Sequence, residues 1–95
     1  MREDFFQALA HPCRREIIQL LKWQNLSAGE IAEKFSISQP SVSRHLDVLK
    51  QAEIVTAERK GNQIIYSLNL SVMQEMYIQL TDLLTRGEEK AYECP

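Results

Sequence analysis

Cysteine, glycine and proline are all scarce in this chain. Two cysteines, Cys13 and Cys94, occur in 95 residues, too few to staple a small secreted domain. Three glycines and three prolines exclude a collagen, a linker or a loop-rich scaffold. No apolar run approaches the roughly 18 residues of a membrane span. The opening Met1-Arg2-Glu3-Asp4-Phe5-Phe6 carries acids where a signal peptide has a basic and then an apolar stretch. Neither membrane insertion nor secretion is expected, and the chain reads as cytoplasmic. Charge of one sign is not in large excess either: 11 Lys+Arg face 13 Asp+Glu, a net −2. With 44% hydrophobic residues, the chain is not a disordered one.

What is present is one globular domain. A chain this short buries only about two thirds of its unfolded surface, so surplus apolar residues are expected at a subunit interface. The charge is unevenly spread: residues 1–68 hold nine basic and eight acidic residues, residues 69–95 two and five. A nonspecific nucleic-acid coat is therefore disfavoured, whereas a local basic site is not, because recognition depends on where charges sit.

Periodicity sets the order of elements. A first helix is expected at Arg2–Ala10, with Glu3 and Asp4 favouring its N-terminal dipole and Phe5, Phe6 and Leu9 as its stripe. His11-Pro12 breaks it, and Pro12 suits the first turn of a second helix, Pro12–Trp23, carrying Ile17, Ile18, Leu20 and Leu21. Gln24-Asn25-Leu26 reads as a connector. Ser27-Ala28-Gly29-Glu30 fits a capping box for a helix at Ala28–Phe35, with Ile31, Ala32 and Phe35 inward. After the turn Ser36-Ile37-Ser38, Ser38 can cap a fourth helix in which Val42, Leu46 and Leu49 face the core. The period then shortens. Ile54–Glu58 and Ile64–Leu68 flank Arg59-Lys60-Gly61-Asn62-Gln63, a β-hairpin with a basic tip. A last helix is expected at Leu70–Arg86, striped by Leu70, Met73, Tyr77, Leu80 and Leu84 and widened by Met76 and Leu83, with Gly87 as its stop. Residues 1–87 form the domain and 88–95 a polar tail.

A capped helix, a three-residue turn and a second helix led by small polar residues is the helix-turn-helix pattern. A basic hairpin directly after it completes a winged helix, mostly α with one β-hairpin, in the order α-α-α-α-β-β-α. The fourth helix packs on Val42, Leu46 and Leu49 and leaves its other side free. Gln39 there has the geometry for adenine, Arg44 for guanine or phosphate, and Ser41 and Ser43 for either. His45 flanks the apolar stripe, where packing or a phosphate bond is as good a reading as contact with a base. Arg59 and Lys60 can neutralise the DNA backbone or enter the minor groove. Arg14 and Arg15 fit ion pairs with Glu16, Asp4 or a partner chain better than phosphate.

Three stretches resemble the arsenical-resistance-regulator (ArsR) family: Ala10-His11-Pro12-Cys13-Arg14-Arg15-Glu16-Ile17, Ser27-Ala28-Gly29-Glu30-Ile31-Ala32, and Ser38 through Ala52. The wing Arg59–Leu68 is similar to it as well. The likeness spans residues 4–84 and is closer to metal-independent members, the sporulation-delaying repressor type among them, than to metal sensors. It implies a small dimeric winged-helix repressor that binds double-stranded operator DNA, with its first and last helices at the dimer interface. The metal sensors' cysteine pair is missing from Leu26–Ile31, and Leu70–Arg86 holds no histidine. A zinc site needs about four converging ligands, so neither metal nor cofactor is expected. Glu53 stands where the family usually has glycine. If that position is left-handed, glutamate there costs about 1 kcal/mol.

Two other readings stay open. Cys13 opens a helix beside Arg14 and Arg15, features that lower a thiol pKa, so Cys13 and Cys94 could form a redox switch. The acidic balance would also suit a winged-helix module that binds protein rather than DNA, and a regulatory protein partner could sequester a repressor. His11-x-Cys13 lacks a third orienting residue and a glycine-lined oxyanion site, so no catalytic residue and no enzyme is expected.

Overall fold

A computed structural model describes residues 2–85. Arg86, Gly87, the tail 88–95 and Cys94 lie outside the described residues. The chain forms α1 (Glu3–Leu9), α2 (Pro12–Leu21), β1 (Leu26–Ser27), α3 (Ala28–Phe35), α4 (Gln39–Gln51), β2 (Val55–Lys60), β3 (Gln63–Leu68) and α5 (Leu70–Leu84). This is the winged helix-turn-helix that the periodicity indicated, with one strand more. Leu26 and Ser27 are not a mere connector: they pair antiparallel with Tyr66 and Ile65, so β3 is the middle strand of a sheet ordered β1-β3-β2. Two residues are too few to show strand alternation in the sequence.

Short polar side chains start the helices. The Ser27 hydroxyl accepts from the Glu30 N–H at 3.2 Å while the Glu30 carboxylate accepts from the Ser27 N–H at 2.9 Å, the complete capping box. Ser38 caps α4 through the Ser41 N–H at 3.3 Å, and Asn69 caps α5 through the Val72 N–H at 3.4 Å. His11 caps α2, its Nδ1 accepting from the Cys13 N–H at 3.1 Å, with Pro12 next in line. Helix ends run shorter than expected: α1 spans Glu3–Leu9 and α2 stops at Leu21, leaving Trp23 84% exposed.

The end of α4 decides the conformation of Glu53. The Ile54 N–H bonds to the Leu49 carbonyl at 2.9 Å and the Glu53 N–H to the Lys50 carbonyl at 2.9 Å. That pair of bonds is a Schellman motif, which needs a left-handed residue after the cap. Glu53 supplies it with φ 61°, in the position that favours glycine. Ile54 follows it into the core, fully buried. The Glu53 carboxylate meets Arg2 at 2.8 Å, and Arg2 also reaches Glu75 on α5 at 3.3 Å.

The core gathers Ile17, Ile31, Val42, Leu46, Leu49, Ala52, Ile54 and Val55 between the three central helices and the root of the wing. All three α4 positions expected inside are buried. Two stripes differ from expectation. In α1, Phe5 and Ala8 are buried while Phe6 is partly outside. In α5 only Val72 and Met76 are buried, with Met73 packed against the core; Leu70, Tyr77, Leu80, Leu83 and Leu84 face outward. The buried pair lies in the first half of α5, and the second half, from Tyr77 to Leu84, contributes no buried residue.

Candidate nucleic-acid interface

The buried face of α4 fixes what the rest of the helix offers. With Val42, Leu46 and Leu49 inside, a period of about 3.6 residues turns Arg44 to the opposite side and sends Gln39 and Ser43, one turn apart, toward the wing. Gln39 and Arg44 are exposed, and Ser43 is half-buried. Ser41 is engaged: its hydroxyl accepts from Ser38 Oγ at 2.9 Å and from the Arg44 guanidinium at 3.3 Å. It therefore steadies Arg44 and is the weaker candidate for direct contact.

The wing hangs on a tighter turn than the sequence suggested. Lys60 pairs with Gln63, so Arg59, Lys60 and Gln63 belong to the strands, and only Gly61 and Asn62 form the turn. Gly61 has φ 60°, and glycine at the first central position with positive φ is the arrangement of a type II′ hairpin turn. Arg59 and Lys60 are exposed, and Arg59 Nε donates to the Gly61 carbonyl at 3.4 Å.

Between wing and helices runs an open groove of about 390 Å³. Gln39 and Ser43 wall it on one side, Asn62, Gln63 and Tyr66 on the other, with Gly29 at the start of α3 beneath. Every side chain in it is uncharged, and several can both donate and accept. Burial, and to a lesser degree Asp47, push the Tyr66 phenol pKa up, so it stays a neutral donor. Asn62, Gln63 and Tyr66 were not singled out in the sequence, because only the hairpin's return toward α4 brings them opposite Gln39.

His45 sits apart from this groove, on the flank of α4 that faces α2. Its ring lies 4.5 Å from that of His11, centroid to centroid, and its Nδ1 is 3.4 Å from Arg14 Nη1. Burial first, then electrostatic repulsion from His11, Arg14 and Arg44 as the ring takes up a proton, hold its pKa below the ordinary value. Among the described residues, Arg14 and Arg15 pair with no acid. Arg14 donates to the carbonyls of Ala8 at 2.6 Å and Gln7 at 3.1 Å, and Arg15 to that of Leu9 at 2.6 Å. They bond carbonyls at the end of α1, a role that short-range sequence spacing does not reveal; the Gln7 carbonyl also accepts the Ala10 N–H at 3.1 Å. The Cys13 thiol is half-buried and its pKa is raised, by burial first and by Glu16 second, against a smaller opposing effect of Arg14. The lowering expected from its neighbours is thus outweighed. Among the described residues, no three His, Cys, Asp or Glu side chains cluster as metal ligands, and no helix is long and apolar enough to cross a membrane.

A helix-turn-helix whose second helix lies uncovered beside a basic two-stranded wing defines a winged-helix transcriptional regulator. The model of the bacterial regulatory protein arsR family matches residues 11–57. Transcriptional repressor SdpR of Bacillus subtilis (strain 168) is 46% identical over 85 residues, covering 90% of this chain and 94% of that protein. A crystal structure of a possible transcriptional regulator for arsenical resistance superposes with a TM-score of 0.76 at 26% identity, covering 87% of this chain and 86% of that one. The solution structure of the homodimeric winged helix-turn-helix DNA-binding domain of Mb0332 from Mycobacterium bovis shares the fold, with a TM-score of 0.71 at 22% identity over 85% of this chain and 75% of that one. The chain belongs to the ArsR family of bacterial regulatory proteins.

Proposed function

We propose that the chain is a homodimeric repressor that acts in the cytoplasm on a near-palindromic operator, with no metal, cofactor or catalytic chemistry of its own. In this reading α4 enters the major groove, Arg44 and Gln39 read base edges, and Ser43 contacts a base or phosphate from the groove wall. Arg59 and Lys60 hold the backbone from the wing. Ser41 and His45 act behind this surface, on Arg44 and on the seating of α4. The observation that carries the reading is the uncovered face of α4, which turns Arg44 outward beside a wing edged by Arg59 and Lys60. Dimerisation is supported by the exposed apolar side chains of α5, since pairing about a two-fold axis would bury them and give two copies of α4 for two half-sites.

Selecting bound sequences from random duplex DNA and then comparing variants tests this. Arg44→Ala is expected to cost on the order of 1–3 kcal/mol and to relax preference at one symmetric pair of positions. Arg59→Ala with Lys60→Ala removes four cations per dimer. It should weaken binding to many sequences alike and lessen the log–log salt slope by about 3–4. If both variants hold the selected duplex as tightly as the parent across a salt series, the binding face is wrong and the wing serves a protein partner.

A further inference from the structure

Arg14 reaches from α2 to both α1 and the side chain of His45 on α4. Its Nε and Nη2 donate to the carbonyls of Ala8 and Gln7 at the end of α1, and its Nη1 lies 3.4 Å from Nδ1 of His45. A guanidinium has donors only, so His45 Nδ1 must accept and the ring proton sits on Nε2. The adjoining imidazole is fixed in the same way: His11 Nδ1 accepts the Cys13 N–H at the cap of α2. Two imidazoles in contact, 4.5 Å between centroids, therefore both present an unprotonated Nδ1 to a donor. They stand where α1, α2 and α4 meet.

We propose that Arg14 is a positioning residue for α4: with the neutral His11–His45 pair it forms a clamp that seats the recognition helix against α1 and α2, and the clamp opens when His45 takes up a proton. This rests on the DNA-reading role given to α4 above. Among the described residues, the groups acting on His45 are all cationic or neutral. Arg14 and His11 come from α2 and its cap, and Arg44 from α4 itself. The facing end of α1 contributes the Gln7 and Ala8 carbonyls, which Arg14 occupies. Protonation at Nδ1 removes the acceptor and sets an imidazolium against a guanidinium. The helix then keeps its core contacts through Val42, Leu46 and Leu49 but loses the polar tie on its α2-facing flank. Reading base edges needs α4 held in one orientation, whereas attraction to phosphates gains from any added positive charge. Acidification thus lowers affinity for the operator relative to random duplex, not affinity for DNA in general.

Two measurements on the full chain test the clamp. Imidazole ¹⁵N and ¹³C shifts of the DNA-free protein at about pH 7.5 should report the Nε2–H tautomer for both histidines. Arg14→Gln should then shift the His45 titration upward, toward the ordinary value. A proton on Nδ1 of His45, or an unchanged titration in Arg14→Gln, overturns the clamp. The second measurement is the ratio of affinities for selected and random duplex between about pH 7.5 and 5.5. It should fall several-fold in the parent and stay flat in His45→Asn, whose Oδ1 offers an acceptor at the Nδ1 position without titrating. A pH-independent ratio in the parent, or an equal fall in His45→Asn, overturns the positioning role. A parent with no sequence preference at any pH refutes the DNA reading and the positioning role with it, while the imidazole shifts still decide whether the clamp exists. The two failures are thereby separate.

Discussion

Glu53 shows how one residue can follow the fold against its own preference. The Schellman bonds at the end of α4 require a left-handed backbone there, and a side chain with a Cβ adopts it at a cost of roughly 1–2 kcal/mol. The Arg2 ion pair is exposed and screened, so it offsets little of that cost. Glu53→Gly should therefore raise stability, by up to about 1 kcal/mol once the greater freedom of glycine in the unfolded chain is counted. A urea midpoint that falls in this variant would show that the Arg2–Glu53–Glu75 bridge outweighs the backbone strain. His45 makes a second residue-level prediction. Its native pKa is depressed below the unfolded value of about 6.5. As pH drops through about 6.5 the unfolded chain takes up a proton that the native chain resists, so stability declines toward acid and is unaffected by this group above that point. Urea midpoints between about pH 8 and 5 should decline in the parent more than in His45→Asn, and an equal decline in both would contradict it.

Among the elements, α3 and α4 were the most legible in the sequence. Their caps are local: a serine followed three residues on by glutamate, and a serine ahead of proline, act within one turn of chain. The wing was legible as a hairpin but not in its register. Five residues stood between the expected strands, and the structure leaves only Gly61 and Asn62 in the turn because Lys60 pairs with Gln63. Nothing lies within 4 Å of where a Cβ on Gly61 would stand, so replacing it tests the backbone alone. Gly61→Ala should destabilise the wing by about 1 kcal/mol. Its affinity for selected DNA should drop while α4 keeps its base preferences. If instead base preferences change and overall affinity does not, the wing takes part in sequence reading rather than in anchoring.

At the scale of the whole molecule, the radius of gyration is 16.3 Å, against about 12–13 Å for a compact domain of this length. On α5, Tyr77, Ile78, Leu83 and Leu84 are each at least 66% exposed. In the proposed dimer a second copy would cover these apolar side chains. Light scattering at micromolar concentration should give twice the chain mass, and Tyr77→Glu or Leu80→Glu should shift it toward the monomer and weaken operator binding together. A parent that stays monomeric would remove the dimer from the proposal.

The helix-turn-helix, the wing and the outward face of α4 could be read from the chain alone, because capping, turn length and apolar period act over a few residues and survive in any context. The sequence also marked Glu53 as out of place, and marked Gln39, Ser41, Ser43, Arg44, His45, Arg59 and Lys60 as the polar residues of the candidate surface, of which Ser41 is engaged with Ser38 and Arg44, and His45 with Arg14 and His11. The remaining features came from packing between elements apart in the chain. Leu26 and Ser27 become a strand because β3 arrives beside them. Arg14 and Arg15 bind carbonyls because α2 folds back on the end of α1. His45 turns to Arg14 and His11 rather than outward because its flank of α4 meets α2. Asn62, Gln63 and Tyr66 line the groove because the wing returns across α4. In each case the partner is distant in sequence or set by the packing angle of two elements, and no local pattern encodes that angle.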